Sequence, residues 1–286
     1  MTNYKYLTCN HTSRLLKSTK TIAQNNPKNI TTTKTQLSTT SKMIRDCERF
    51  EIIEALGRGK YSDVYKGVDG LTKKFVVIKI LKPVRKVKIS REICILQALR
   101  NGTNIVNLID VCLDKSSNTP SLVFEYISPT ILKNILTHLN LDEIKHYILE
   151  ILKGMDYCHS RGIMHRDIKP MNIIIDEETK ELKLIDWGLS EYYLPNKEFN
   201  TRVSSRPYKS PELLIGYNYY DFSMDIWSLG CILGSMIFKK DYLFLGKDNS
   251  EQMLKIVNVL GSNGFFEYLK KIDLKLSSSD TTYYKG

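Results

Sequence analysis

The eight residues His165-Arg166-Asp167-Ile168-Lys169-Pro170-Met171-Asn172 decide how the chain reads. Pro170 and the density of polar groups argue against regular structure, so the stretch reads as a loop. Its spacing suits phosphoryl chemistry. Asp167 can accept a hydroxyl proton, and Lys169 can neutralise a moving phosphoryl group. Asn172 offers a hard oxygen to magnesium. Upstream, residues 141–161 carry the clearest helical period of the chain. Asn140 and Glu143 form a capping-box start, and Gly162 suits the left-handed position past the end. Downstream, the short apolar segments 173–176 and 182–185 read as a small hairpin. It runs into Asp186-Trp187-Gly188, a carboxylate at a strand end followed by glycine, which fits a second magnesium ligand.

Further upstream the pattern is β-rich. Residues 50–56 are apolar and meet Gly57-Arg58-Gly59-Lys60-Tyr61-Ser62-Asp63-Val64. Glycines between two strands let backbone amides approach a phosphate chain without a Cβ in the way, though a plain hairpin turn would look alike. Residues 64–68 and 75–81 read as strands, the latter holding Val76-Val77-Ile78-Lys79. A lysine inside an apolar strand is costly to bury unpaired and wants an anion, unless it snorkels to water. Glu92, thirteen residues on and on a helix predicted over 88–100, can supply one. Residues 106–112 and 121–126 read as two more strands. After Pro129 the pattern turns helical, with the last clear helices at 224–238 and 250–260. A β-rich first region (46–127) followed by an α-rich second one (128–286) predicts an α+β fold with a cleft at the junction.

Composition sharpens this. The 286 residues hold 42 Lys+Arg against 31 Asp+Glu, a formal charge of +11. Residues 1–45 contribute eight Lys/Arg and no acid, so the remainder is only mildly basic. Those 45 residues also hold fifteen Ser/Thr and no sustained apolar period. They read as a solvated tail, a transit-type targeting segment, or an arm for nucleic acid or an acidic membrane. At 42% hydrophobic the chain can bury a core. The longest apolar run, residues 226–238, is too short for a bilayer and reads as a core helix. Six cysteines, none in a Cys-x-x-Cys pair, read as buried thiols.

Ser210-Pro211-Glu212 and Asp225-x-Trp227-Ser228-x-Gly230 complete an ordered series with the glycine turn, Lys79, the Asp167 loop and Asp186. On these motifs the chain resembles a eukaryotic-type protein kinase, a bilobal fold with a β-rich small lobe and a mostly α large lobe. Within that superfamily it is similar to casein kinase II catalytic α subunits from about residue 50 to 260. The sharpest marker is Trp187, where most kinases have phenylalanine. Leu56 to Ser62, Met164 to Asp167 and Arg202-Val203-Ser204-Ser205-Arg206 match too.

The resemblance implies a serine/threonine kinase using ATP, and GTP as well, with Mg²⁺. Asp167 would be the catalytic base and Lys169 its phosphate-stabilising partner, with Lys79 paired to Glu92. Asn172 and Asp186 would hold the metal ions. Leu56, Gly57, Gly59, Ser62, Val64, Val77, Ile174 and Ile185 would surround the nucleotide, with Phe124 behind it and Glu125 to Ile127 as hinge. Residues 192–210 carry Arg202, Arg206 and Lys209, three cations that would favour Asp or Glu downstream of a target Ser/Thr. A thinner basic stretch is Lys82, Arg85, Lys86 and Lys88. The family's regulatory β subunit would dock on Phe50, Ile52, Tyr65, Ile80 and Val123. Cytoplasm or nucleus would follow from the family, unless residues 1–45 redirect the chain to an organelle.

The resemblance also weakens at both ends. Residues 1–45 do not match the family's N-terminal segment, and its late large-lobe helices have no visible counterpart after Leu260. No arginine follows Arg206, so Glu212 lacks the partner that kinases normally give it. Removing late helices would expose apolar faces of 224–238 and 250–260. The competing reading is therefore a shortened kinase fold that binds nucleotide or a partner without turnover.

Overall fold

The computed structural model describes residues 44–59, 61–83, 86–114, 119–127, 130–277, 281 and 283–284. The tail expectation for residues 1–43 and the roles of Lys60 and Arg85 lie outside them. Two compact units are present. The first comprises the described residues up to Asn101, Val106–Tyr126 and Tyr157–Gly162; the second comprises Gly102–Ile105, Ile127–Asp156 and the chain from Ile163 onward.

The first unit is built on strands β1 (Ile44–Asp46), β2 (Phe50–Arg58), β3 (Ser62–Asp69), β4 (Phe75–Leu81), β5 (Leu108–Asp114) and β6 (Thr119–Glu125), with helix α1 (Lys86–Ala98) between β4 and β5. They form one sheet in the order β1-β5-β6-β4-β3-β2. All pairs are antiparallel except β1 with β5. Among the described residues a strand, β1, thus precedes the apolar stretch that begins at Phe50. Three residues, two of them charged, are too few to show a period, and they are held by the open edge of β5.

The β-branched run in β4 faces two ways. Val76 and Ile78 join Phe50, Cys112 and Val123 in a buried cluster. Val77 and Lys79 point to the opposite face, with Val77 opposite Phe124 and Lys79 opposite Val64. Gly67 is required where β3 crosses β2, since a Cβ there would lie 2.6 Å from the Glu51 carbonyl oxygen. The β3–β4 turn is fixed by Asp69, whose carboxylate accepts from Leu71 N–H (3.0 Å) and Thr72 Oγ1 (2.8 Å). The Arg49 guanidinium clamps it at 2.7 and 2.5 Å and holds its carboxyl well below the usual range.

In the second unit, β7 (Thr130–Ile131) leads into α2 (Leu132–Ile135), followed by α3 (Leu141–His159). The start of α3 is the capping box read from the sequence. Asn140 Oδ1 accepts from the N–H of Asp142 and Glu143, and Glu143 Oε2 accepts from Asn140 N–H, each at 3.0 Å. Gly162 has φ +72° just past its end.

Strands β8 (Ile163–Met164) and β11 (Glu191–Tyr192) pair with each other, while β9 (Ile173–Ile175) and β10 (Leu182–Leu184) form the expected hairpin, extended by β7. Helices α4 (Pro211–Leu214), α5 (Ser223–Ile237), α6 (Asn249–Leu260) and α7 (Ser262–Lys271) follow. The sequence reading stopped at α6. In α7 only Phe265 and Leu269 are buried, and Asn263-Gly264 interrupts the period, so its pattern is faint. The core gathers Met164, Phe199, Val203, Leu213, Tyr220 and Met224. Among the described residues no helix is long and apolar enough to cross a membrane.

Candidate active site

In the first unit, β4 places Lys79 against α1. Its Nζ lies 3.0 Å from Glu92 Oε1, and both side chains are largely buried. The anion required by a lysine in an apolar strand is thus the one read from the sequence. The turn between β2 and β3 is closed by Gly59 N–H donating to the Ser62 carbonyl at 2.8 Å. A Cβ on Gly59 would meet that same oxygen at 3.2 Å, while one on Gly57 would meet nothing within 4 Å. Lys82 holds the turn from outside, donating to Gly59 O (2.8 Å) and pairing with Asp63 (2.9 Å). Val64, Val77 and Phe124 share the sheet face of Lys79, as the registers require. Leu56 is exposed, and Ile127 is half-buried. Glu125 holds Asn107 through its side chain, accepting its N–H at 2.9 Å.

In the second unit, the loop 165–172 folds back on itself. Asp167 Oδ2 accepts from Lys169 Nζ at 2.7 Å and from Asn172 Nδ2 at 3.1 Å. Asn172 Nδ2 also donates to the Asp167 carbonyl at 2.9 Å, which commits the amide nitrogen and leaves Oδ1 as the atom able to meet a cation. Ile185 N–H donates to Asn172 O at 3.0 Å, so Asp186 follows directly on a residue tied to Asn172. Asp186 is exposed, with φ 61° and ψ 70°. Ile185, which precedes it, and Ile174, which pairs with Lys183, are half-buried. No cluster of three or more His, Cys, Asp or Glu suited to a metal occurs among the described residues. One carboxylate and one amide oxygen fit magnesium, which keeps several ligand positions for water and nucleotide phosphates.

Three residues have clear roles that the sequence reading did not give them. Ser205 meets the other oxygen of Asp167, donating from N at 3.1 Å and from Oγ at 3.2 Å, and its Oγ accepts from Lys169 Nζ at 3.0 Å. Asp225, fully buried on α5, accepts the N–H of His165 and of Arg166, each at 2.8 Å. Tyr220 accepts from Arg166 Nη1 at 3.0 Å and donates to Asn200 O at 2.7 Å. Arg166, with φ 67°, also donates Nε to Leu189 O at 2.7 Å. These bonds span 20 to 60 residues of chain and carry no local periodicity.

One expectation is corrected. Lys209 is not a free substrate cation. Its Nζ donates to Thr201 O (3.2 Å) and Val203 O (2.7 Å), and burial, helped by Arg206, lowers its pKa. It braces the loop that presents Arg202 and Arg206, both exposed and without an ion-pair partner among the described residues. On the expected β-subunit face, Phe50 and Val123 belong to the buried cluster and Ile80 packs against it, Tyr65 is half-buried, and Ile52 is 48% exposed.

The protein kinase domain family model matches residues 50–280. The chain belongs to the protein kinase family, with the α+β kinase fold: it is a phosphotransferase of the class that uses ATP and Mg²⁺ and acts on protein substrates.

Glu212 is 8% exposed, and burial raises its pKa, with Asp221 adding to the effect. A carboxyl raised in the folded state binds its proton more tightly there than in the unfolded chain. Its contribution to stability is then fully present below the ordinary carboxylate range and is lost as pH rises through the raised value. Glu212→Gln should therefore raise Tm at pH 7–8 by about 2–4 °C, the effect of ~1 kcal/mol in a domain of this size, and by less near pH 4. Thermal melts of both proteins across that range check it. An equal Tm difference at both ends would show that Glu212 is not held as a costly buried anion.

Proposed function

We propose that the chain is a serine/threonine kinase of the casein kinase II type, transferring the γ-phosphoryl group of ATP, and also of GTP, to Ser or Thr followed by acidic residues. The observation that carries this is the Asp167 carboxylate with Lys169, Asn172 and the Ser205 hydroxyl gathered on it. A site that already holds an aliphatic hydroxyl between a carboxylate and an ammonium suits a Ser/Thr acceptor. In this reading the acceptor oxygen attacks the γ-phosphorus, its proton passes to Asp167, and the bond to the β-phosphate oxygen breaks to release ADP. Lys169 offsets the charge on the moving group, and Lys79, oriented by Glu92, holds the phosphates behind it. Asn172 and Asp186 would hold Mg²⁺, which would supply positive charge to offset that of the phosphates.

Arg202 and Arg206 support the acidic preference, because their guanidiniums are exposed and can pair with carboxylates bidentately. The test compares a Ser-Asp/Glu peptide with its neutral counterpart, using labelled ATP. Reversing both charges, Arg202→Glu with Arg206→Glu, should lower kcat/KM for the acidic peptide by about 10–100-fold, the loss expected for one or two charged hydrogen bonds. The neutral peptide should change little. Equal losses on both peptides would remove the acidic preference from these two residues. The partner that follows from this reading is a regulatory β subunit at the exposed part of β2 around Ile52. Cytoplasm or nucleus is the corresponding location, subject to any targeting by residues 1–45.

A further inference from the structure

One residue grips the glycine turn between β2 and β3 at three points. It is Lys82, which follows the last position of β4. Its Nζ donates to the Gly59 carbonyl at 2.8 Å and pairs with Asp63 Oδ1 at 2.9 Å. Its backbone N–H donates to the Tyr61 carbonyl at 2.9 Å. From within, Gly59 N–H closes the turn on the Ser62 carbonyl at 2.8 Å. In a trans peptide the carbonyl and the following N–H point opposite ways, so Tyr61 O on Lys82 turns the Ser62 N–H away from β4. A glycine-containing turn without such a hold samples many shapes, and ordering it on binding would cost conformational entropy.

We propose that Lys82 is a positioning residue for the nucleotide: by drawing the turn's carbonyls to the β4 side, it keeps the turn's N–H groups in the arrangement that the phosphate chain of ATP meets. The inference rests on the reading that the phosphates lie against this turn. From the sequence, Lys82 reads as part of a thin basic stretch for acidic substrate residues. In the structure its ammonium is engaged by a carbonyl and a carboxylate of the chain itself. Those two partners lie on opposite sides of the turn in sequence, so one side chain ties the end of β2 to the start of β3. Amides that hold the phosphates do so before and during transfer alike, so Lys82 should govern binding of ATP rather than the chemical step.

The ATP dissociation constant, measured by calorimetry with Mg²⁺ on the full chain, tests this whether or not phosphate is transferred. The rate on a saturating Ser-Asp/Glu peptide separates binding from chemistry. Lys82→Met keeps the aliphatic stem and removes the ammonium. It should raise the ATP Kd and KM about 5–20-fold, near the worth of one hydrogen bond to a charged group, with kcat changed by less than about 2-fold. Lys82→Arg, which keeps the cation and its donors, should recover most of the loss. The side chain is 41% exposed, and an exposed pair adds little to stability, so Tm should move by no more than about 2 °C. Asp63→Asn distinguishes positioning from simple attraction. If charge alone mattered, removing an anion near the phosphates would tighten ATP, whereas loosening the grip should weaken it about 2–5-fold. Lys82→Met combined with Asp63→Asn should be no worse than Lys82→Met, because both act through one contact. An ATP Kd within about 2-fold in Lys82→Met, tighter ATP in Asp63→Asn, or a rise confined to the peptide KM would each overturn the proposal and leave the nucleotide reading standing. No ATP binding by the unaltered chain would overturn both together.

Discussion

Asp167→Asn should lower the rate of phosphoryl transfer by about 10²–10⁴-fold while leaving nucleotide binding nearly intact, the loss expected when a positioned base is removed. The carboxylate is almost fully enclosed and acts only as an acceptor. Oδ2 takes Lys169 Nζ and Asn172 Nδ2, and Oδ1 takes both donors of Ser205. An amide keeps the shape but cannot accept a proton, and its NH₂ must face either the Lys169 or the Ser205 donors. Val64, Val77 and Phe124, which the proposed function sets beside the adenine, belong to the other unit. Single-turnover transfer from labelled ATP measures the chemical step, and nucleotide-induced thermal stabilisation measures binding. Transfer within about 3-fold of the unaltered chain would show that Asp167 is not the base. Stabilisation by nucleotide in an unaltered chain that transfers nothing would instead favour the binding-protein alternative.

What the sequence disclosed of this site follows its contact distances. Asp167, Lys169 and Asn172 lie within six positions of one another, so their convergence was written in one loop. Lys79 and Glu92 are farther apart, yet each breaks the pattern of its own element: an ammonium in an apolar strand, a carboxylate among apolar helical positions. Ser205 gave no such signal. It reaches Asp167 across 38 residues from a loop without periodicity. Lys209 was misread for a related reason. Its charge is legible, but whether the loop's own carbonyls take the ammonium depends on how residues 201–209 turn. The face expected for a β subunit shows what alternation leaves out. Alternation separates the two faces of a strand but does not say how much of each is covered, and of the expected residues Phe50 and Val123 are buried while Ile52 is exposed. For Glu212 the charge could be read from the sequence, whereas its burial could not.

Asp225→Ala should be the most destabilising change near the site, costing about 2–6 kcal/mol, because it leaves two buried N–H groups, those of His165 and Arg166, with no acceptor. That is a large share of the ~5–15 kcal/mol margin of a folded domain, and the melting temperature should fall on the order of 10 °C. Asp225→Asn keeps one acceptor and turns an NH₂ toward the other N–H, so an intermediate loss is expected. The effect should also reach the chemistry. Arg166 is held at φ 67°, a conformation unfavourable to a residue with a Cβ, and the two bonds from Asp225 fix the backbone immediately before Asp167. Releasing them frees Arg166 to relax and Asp167 to leave Lys169. Activity measured well below the variant's own Tm should then remain depressed, which separates misplacement from unfolding. A variant melting within about 2 °C of the unaltered chain would mean that other contacts hold the loop, and that Asp225 only decorates it.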